Sequence, residues 1–315
     1  MTDAQPSRIP LVVDTDTASD DCFALLLALR DPRADLRAIT MVQGNVGFDQ
    51  QVHNAFLTLE VAGRLGDVPV HLGARESLAG GWVGAEDVHG DGVGGQRRTN
   101  DAAPDPEPAV DALLRLSRAH EGELRIVAIG PLTNLAHAID RDPGFAARVR
   151  ELVIMGGSLD GVGNVTPHAE YNIYADVEAA AAVLGAPFPR VRLVTWSPLT
   201  LRDAVFDATR VARIDALGTA MSDFFVRANR APFDFDVAHG VGGSTHPDTL
   251  SVLTAIDPAV VLEERAVEVD VVRAGERRGA TDVRDATAAS SLTAVTRADG
   301  ERLYAAMLGI LAGER

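Results

Sequence analysis

The chain has 315 residues, 46% of them hydrophobic, and a formal net charge of −16 at pH 7, so it can bury a sizeable core and offers no basic surface to nucleic acid or an anionic membrane. Its 29 basic residues are all arginine, which excludes Schiff-base chemistry, a P-loop lysine and a lysine general base together. The single cysteine permits no disulfide within the chain, no signal peptide is expected ahead of the first strand and no apolar stretch reaches membrane-spanning length, so a cytoplasmic protein is expected.

Residues 10–13 predict a short buried strand and 23–29 a helix that stops before Asp31-Pro32. Between them Asp14, Asp16, Asp20 and Asp21 crowd four carboxyl groups into one strand-to-helix turn. Like charges this close raise one another's pKa unless a cation or several donors compensate, and a helix N-terminus supplies only part of that compensation. Helix capping accounts for one or two of these acids but not for Asp14 and Asp16 at the strand end. A bound metal is the simplest remedy, and oxygen-only ligands favour Ca²⁺ or Mg²⁺ over Zn²⁺. Cys22, among apolar helix neighbours, reads as a core thiol.

Farther along, 36–42 predicts a strand ending at Gln43-Gly44-Asn45, 50–65 a helix and 68–72 a strand. From 73 to 108 the pattern dissolves into glycine, proline and acids around Trp82 and His89, a length usual for a lid or binding loop. Residues 110–120 predict a helix and 124–129 a strand, after which Gly130-Pro131-Leu132-Thr133-Asn134 opens a helix over 135–139 with Thr133 as its expected N-cap. A strand at 151–155 runs into Gly156-Gly157 and a polar loop to Asn172, followed by a helix at 177–184 and a strand at 191–195. Beyond Trp196, 214–227 and 249–256 predict helices, and 266–273 with 279–283 a late strand pair. This alternation predicts an α/β fold, a mostly parallel central sheet flanked by helices on both faces, with 1–315 as one domain carrying a long loop at 73–108. Phe224, Phe225, Phe233 and Phe235 read as core at their spacing.

In open parallel sheets ligands bind outside the carboxyl ends of the strands. Asp14 and Asp16, Asn45, the turn after Ile129, and Asn164, Glu170 and Asn172 all fall at such ends. Together they predict one acidic, amide-rich pocket, suited to a neutral polyol or sugar and hostile to phosphate. The glycine run 156–163 lacks dinucleotide spacing and opens into no helix, so no nucleotide cofactor is expected.

These residues resemble the calcium-dependent inosine-uridine nucleoside hydrolases over nearly the whole chain. The most specific part is Asp14-Thr15-Asp16-Thr17-Ala18-Ser19-Asp20-Asp21, similar to that family's amino-terminal aspartate signature, although Pro-Gly is commoner than Thr17-Ala18. Gly44-Asn45, His89-Gly90, Gly130-Pro131-Leu132-Thr133-Asn134 and the block from Met155-Gly156-Gly157 to Tyr171-Asn172 support it. The resemblance implies a Rossmann-like nucleoside hydrolase fold and hydrolysis of ribonucleosides to free base and ribose by a homodimer or homotetramer. It implies Ca²⁺ held by Asp16, Asp21, Asp248 and the backbone carbonyl of Ile129, with Asp16 as general base. Asp20, Asn45, Asn164, Glu170, Asn172 and Asp248 would hold the sugar hydroxyls, with Met155 packing beneath. The likeness departs at His246-Pro247-Asp248: many members carry His directly before the last metal-binding Asp, whereas here Pro247 takes that place. His89, His239 and His246 are the candidates for the leaving-group acid.

Two other readings remain. Val13-Asp14-Thr15-Asp16-Thr17 fits the nucleophile loop of a haloacid-dehalogenase-like phosphatase, but that fold needs a downstream basic residue, usually lysine, and the chain has none. A ribose- or nucleoside-binding protein that has lost turnover with the displaced histidine is the other.

Overall fold

The computed structural model describes residues 8–286 and 290–313; residues 1–7, where no signal peptide is expected, lie outside them. The described residues form eleven strands: β1 (Ile9–Thr15), β2 (Ala34–Met41), β3 (Val70–Leu72), β4 (Arg125–Ala128), β5 (Glu151–Met155), β6 (Val191–Val194), β7 (Val205–Phe206), β8 (Ser244–Thr245), β9 (Val261–Val271), β10 (Thr281–Asp285) and β11 (Leu292–Ala298). Nine build one sheet in the order β10-β9-β11-β6-β5-β4-β1-β2-β3, and β7 pairs with β8 in a small ribbon. All pairings from β3 to β11 are parallel, while β9 runs antiparallel to both β11 and β10.

The strands read as near-continuous apolar runs because both faces are covered. Leu11 and Val13 of β1, Val127 of β4 and Val153 and Met155 of β5 enter one apolar core. The alternate residues Val12, Ile126, Ala128, Leu152 and Ile154 enter the other. That is the period-two alternation of a strand with two buried faces. On the first face lie helices α1 (Ser19–Arg30) and α2 (Phe48–Val61); the loop after β3 holds only the short α3 (Glu86–His89). The second face is covered by α4 (Ala109–Ala119), α5 (Thr133–Arg141) and α6 (Phe145–Arg148), then, past α7 (Tyr171–Ala175), by α8 (Val177–Leu184). After the turn α9 (Leu201–Asp203) come α10 (Ala208–Asp215), α11 (Ala220–Ala228), α12 (Arg230–Ala238), α13 (Pro247–Ile256) and α14 (Gly300–Leu311).

Three expectations change. The helix expected over 214–227 is two, α10 and α11, divided at Gly218 with φ +59°, a conformation that glycine adopts without strain. Thr133 begins α5 rather than capping it; Leu132 holds the cap position, and the Thr133 hydroxyl donates to Asp176 Oδ2 at 2.8 Å. Phe224 and Phe225 are core, as their spacing predicts, but Phe233 and Phe235 are half-buried, and Phe235 borders a cavity.

The strand order 3-2-1-4-5-6 within the sheet places its topological switch between β1 and β4. A crevice opens there, outside the carboxyl ends of the strands, because the chain leaves the sheet in opposite directions on either side.

Candidate active site

At that crevice lies a cavity of about 500 Å³, within the range of pockets that hold small molecules. Of the residues singled out from sequence, Asp20, Asn45, Ile129 and Met155 line it, as do Asn164, Glu170, Asn172 and Asp248. Asp16 and Asp21 are fully buried beside that wall. His89 and His239 border the cavity and His246 does not.

The acidic turn is held by its neighbours rather than by a side-chain cap. Ala18 occupies the N-cap of α1, and Asp21 reaches back so that its Oδ2 accepts from the Ala18 amide at 3.1 Å. Its Oδ1 accepts from Thr15 Oγ1 at 2.6 Å. Ser19, whose amide donates to Gly92 O at 2.7 Å, has φ +28°. Asn54 of α2 ties the turn to the long loop, its Nδ2 donating to both Thr17 O and Asp91 O at 2.9 Å. Asn45 bridges two of the acids: its amide donates to Asp16 Oδ2 at 2.9 Å and its Nδ2 to Asp21 Oδ2 at 3.1 Å. Asp16 Oδ1 is buried and has no hydrogen-bond partner among the described residues.

Burial and mutual repulsion push these carboxyl groups far from the usual range. Asp20 rises to about 8 and Asp21 to about 6, burial first, with the Asp21 charge adding to the rise of Asp20. Asp16 and Asp248 are raised well above normal, again by burial first, then by Asp21 for Asp16 and by Asp20 for Asp248. Such groups ionise together only if positive charge joins them. Asp20, Asp21 and Asp248 each offer a carboxylate oxygen within 4.8 Å of the others, an arrangement able to hold a metal ion. Sequence reasoning placed Asp16 with Asp21 and Asp248 as ligands; the structure brings Asp20 into that group and leaves Asp16 beside it with a free oxygen. An all-oxygen donor set with an orphaned buried carboxylate oxygen fits a hard divalent cation.

Asn164, Glu170 and Asn172, expected from the resemblance to meet a sugar, come from the segment after β5. Glu170 caps α7, its Oε1 accepting from Asn172 N at 2.8 Å and its Oε2 from Gly157 N at 2.9 Å and Ile173 N at 3.1 Å. Burial nevertheless raises it to about 7. Asn172 Nδ2 donates to Ile129 O at 3.1 Å, to Met155 O at 3.2 Å and to Met155 Sδ at 3.3 Å, which joins the ends of β4 and β5. Exposed Asn164 accepts from Tyr171 N through Oδ1 at 2.9 Å.

The three histidines part company. His246 is turned into the core, its ring 4.2 Å from that of Phe206 and 5.6 Å from that of Phe225, with Nε2 2.9 Å from Ser244 Oγ. Burial pulls its pKa down to about 3. It does not reach the cavity as the sequence reading allowed, because Pro247 opens α13 and the preceding backbone sends the side chain inward. His89 lies 4.0 Å from Asp20 Oδ1 through Nδ1, and burial lowers it to about 4. His239 is exposed, stacks on Phe235 at 4.1 Å and pairs through Nδ1 with Phe235 O at 2.8 Å.

Sequence reasoning missed Asp236, a buried carboxyl on α12 that lines the same cavity. Gly44 and Gly130, singled out in the sequence only as parts of motif blocks, make room for Asp16. A Cβ on either would meet Asp16, at 1.9 Å from Oδ2 and 2.7 Å from Oδ1 respectively. Among the described residues no helix is long and apolar enough to cross a membrane.

The family model described as inosine-uridine preferring nucleoside hydrolase matches residues 11–305. Uridine nucleosidase 1 of Arabidopsis thaliana is 41% identical over 198 residues, 61% of this chain and 59% of that protein. The pyrimidine-specific ribonucleoside hydrolase RihB of Escherichia coli O157:H7 is 31% identical over 270 residues, 83% of each chain. The match spans two-thirds or less of the length of several curated relatives, 66%, 59% and 56%. Among solved structures, that of the plant nucleoside hydrolase PpNRh1 superposes with a TM-score of 0.89 at 29% identity, covering 97% of this chain and 99% of that one.

Proposed function

The chain belongs to the inosine-uridine preferring nucleoside hydrolase family, and from that premise we propose that it hydrolyses the N-glycosidic bond of ribonucleosides, releasing free base and ribose, with Ca²⁺ as its resident ion. The observation that carries this reading is the buried Oδ1 of Asp16, unpartnered among the described residues, at the edge of a carboxyl cluster and beside a cavity lined by acids and amides together with His89, His239, Thr245 and Tyr171. Family membership displaces the phosphatase reading.

Asp16, Asp21, Asp248 and the Ile129 carbonyl would hold the ion, with Asp20 close enough to share it. When bound, the ion supplies positive charge that binds the sugar diol and acidifies a water. Asp16 Oδ1, which no donor among the described residues engages, takes the proton of the attacking water. The bond from Asn45 to Oδ2 keeps that carboxylate oriented while Oδ1 works. Asp20, Asn45, Asn164, Glu170, Asn172 and Asp248 hold the sugar hydroxyls, and Met155 packs under the ring. As the bond to the base lengthens the sugar gains positive charge, which these ionised carboxylates stabilise. The protein acts in the cytoplasm as a homodimer or homotetramer, each chain forming one catalytic domain.

Chromatography of reactions with uridine, cytidine, inosine and guanosine tests the reading. Equal amounts of base and ribose from at least one of them, abolished by EDTA and restored by calcium, are expected. Tight calcium-dependent binding with no base formed over hours would replace the enzyme with a binding protein.

A further inference from the structure

A nucleobase is a poor leaving group as an anion, so N-glycosidic cleavage is aided by a proton delivered to the base. The histidine nearest Asp248 in the sequence is unavailable, because the His246 ring is stacked in the core away from the cavity. Into the space beside that segment projects Asp236. Its Oδ2 accepts two bonds from Thr245, from the amide at 2.9 Å and from Oγ1 at 3.0 Å, so the residue just before His246 anchors it. Among the described residues none donates a bond to Oδ1, and the side chain borders the cavity with Pro232, Phe235 and Trp196, apolar surfaces suited to a planar ring.

We propose that Asp236 is the acid that protonates the departing base, in the place the displaced His246 has left. This rests on the hydrolase reading above. As the bond from C1′ to the base nitrogen breaks, its electron pair stays with the base. The proton on Asp236 Oδ1 moves to a ring nitrogen or exocyclic oxygen of that base, leaving Asp236 as carboxylate. The attacking water gives its oxygen to C1′ and a proton to Asp16, and exchange with solvent restores both acids after release. The surroundings favour the protonated form. Burial raises Asp236, and the Thr245 bonds and the nearby His239 only partly offset it, while its charge is felt by Asp20.

The experiment compares natural ribonucleosides with p-nitrophenyl β-D-ribofuranoside, whose leaving group departs without a proton. In Asp236→Asn, kcat on uridine or inosine is expected to fall by about 100-fold or more, the size of a lost general acid, while the p-nitrophenyl riboside loses less than about fivefold. KM is expected to change little, and calcium should raise the melting temperature of mutant and wild type alike. If Asp236→Asn does not fold, Thr245→Val serves instead and is expected to show a smaller loss with the same dependence on leaving group. Equal losses on both substrates, retained nucleoside turnover, or the leaving-group signature appearing in His89→Ala or His239→Ala instead would overturn the assignment. Wild type that hydrolyses neither substrate would fail the hydrolase reading itself, a result distinct from these.

Discussion

Gly44 approaches Asp16 so closely that a Cβ on Gly44 would lie 1.9 Å from Asp16 Oδ2. The oxygen that would be struck is the one the Asn45 amide holds at 2.9 Å. Gly44→Ala must therefore push the Asp16 carboxyl out of place, and a displacement of about an ångström at a reacting group costs about 100-fold in rate. Steady-state kinetics of Gly44→Ala are expected to show at least that loss in kcat. Wild-type turnover would mean that the Asp16 position is not critical.

Under the proposed function, calcium held by the crowded carboxyl groups would stabilise the fold as well as serve the chemistry. At a calcium concentration 100 times its Kd the folded state gains about 2.7 kcal/mol, and each kcal/mol shifts the melting temperature of a chain this large by about 1.5 °C. A thermal scan is expected to show a rise of about 4 °C with calcium and its reversal by EDTA. In Asp248→Asn the rise should largely vanish. A full rise in that variant would place the ion elsewhere, the group formed by His71, Asp105 and Glu107 being the other candidate among the described residues.

The acids that suit a sugar repel phosphate. Nucleosides are expected to exceed their 5′-monophosphates in kcat/KM by at least about tenfold at low salt, with the gap narrowing as ionic strength rises and screening sets in. Equal efficiency on both would contradict the electrostatic account.

At the opposite ends of the strands Glu151 is nearly buried among three arginines, Arg192 at 3.0 Å and Arg125 and Arg190 at 3.3 Å. Glu264 also pairs with Arg190 and Arg192, each at 3.0 Å, so Glu151→Gln takes the carboxylate from Arg125 and leaves buried Arg192 with Glu264 alone; it is expected to lower stability by about 3 kcal/mol in chemical denaturation. KM should not change, because the cluster lies across the sheet from the cavity. A loss below 1 kcal/mol would show that water relieves these arginines.

Asp142 gives a pH signature. Bonds from Arg148 and Arg118 hold its carboxyl down at about 2. A depressed folded pKa means that its contribution is present above the unfolded value near 3.8 and is lost as pH falls toward 2. The difference in melting temperature between wild type and Asp142→Asn should accordingly be present at pH 7 and shrink below pH 4. A difference that does not vary with pH would exclude the charge as its origin.

The central strands were readable because a parallel strand buried on both faces leaves an unbroken apolar run. β5 and α8 have the bounds their patterns predict. β11 was missed since Thr293, Thr296 and Arg297 interrupt its apolar residues, and its existence depends on partners β6 and β9 far away in sequence. α12 was missed because Pro232 sits near its start and apolar and acidic residues mix along it. That same mixture hid Asp236, which looks like a surface charge between Phe235 and Val237. The signal was indirect: a histidine shifted by one residue implies that another group fills its place. No pattern in the sequence reveals that His246 faces Phe206 and Phe225, since a side chain's direction before a helix depends on backbone angles set by packing.

The most direct measurement is a crystal structure of the wild-type protein with calcium and ribose. The account predicts one strong anomalous peak within coordination distance of Asp16, Asp21, Asp248 and the Ile129 carbonyl, contacted by the O2′ and O3′ hydroxyls, with C1′ facing Asp16 Oδ1. Ribose bound with those carboxylates uncoordinated, or calcium lodged only at His71, Asp105 and Glu107, would contradict it.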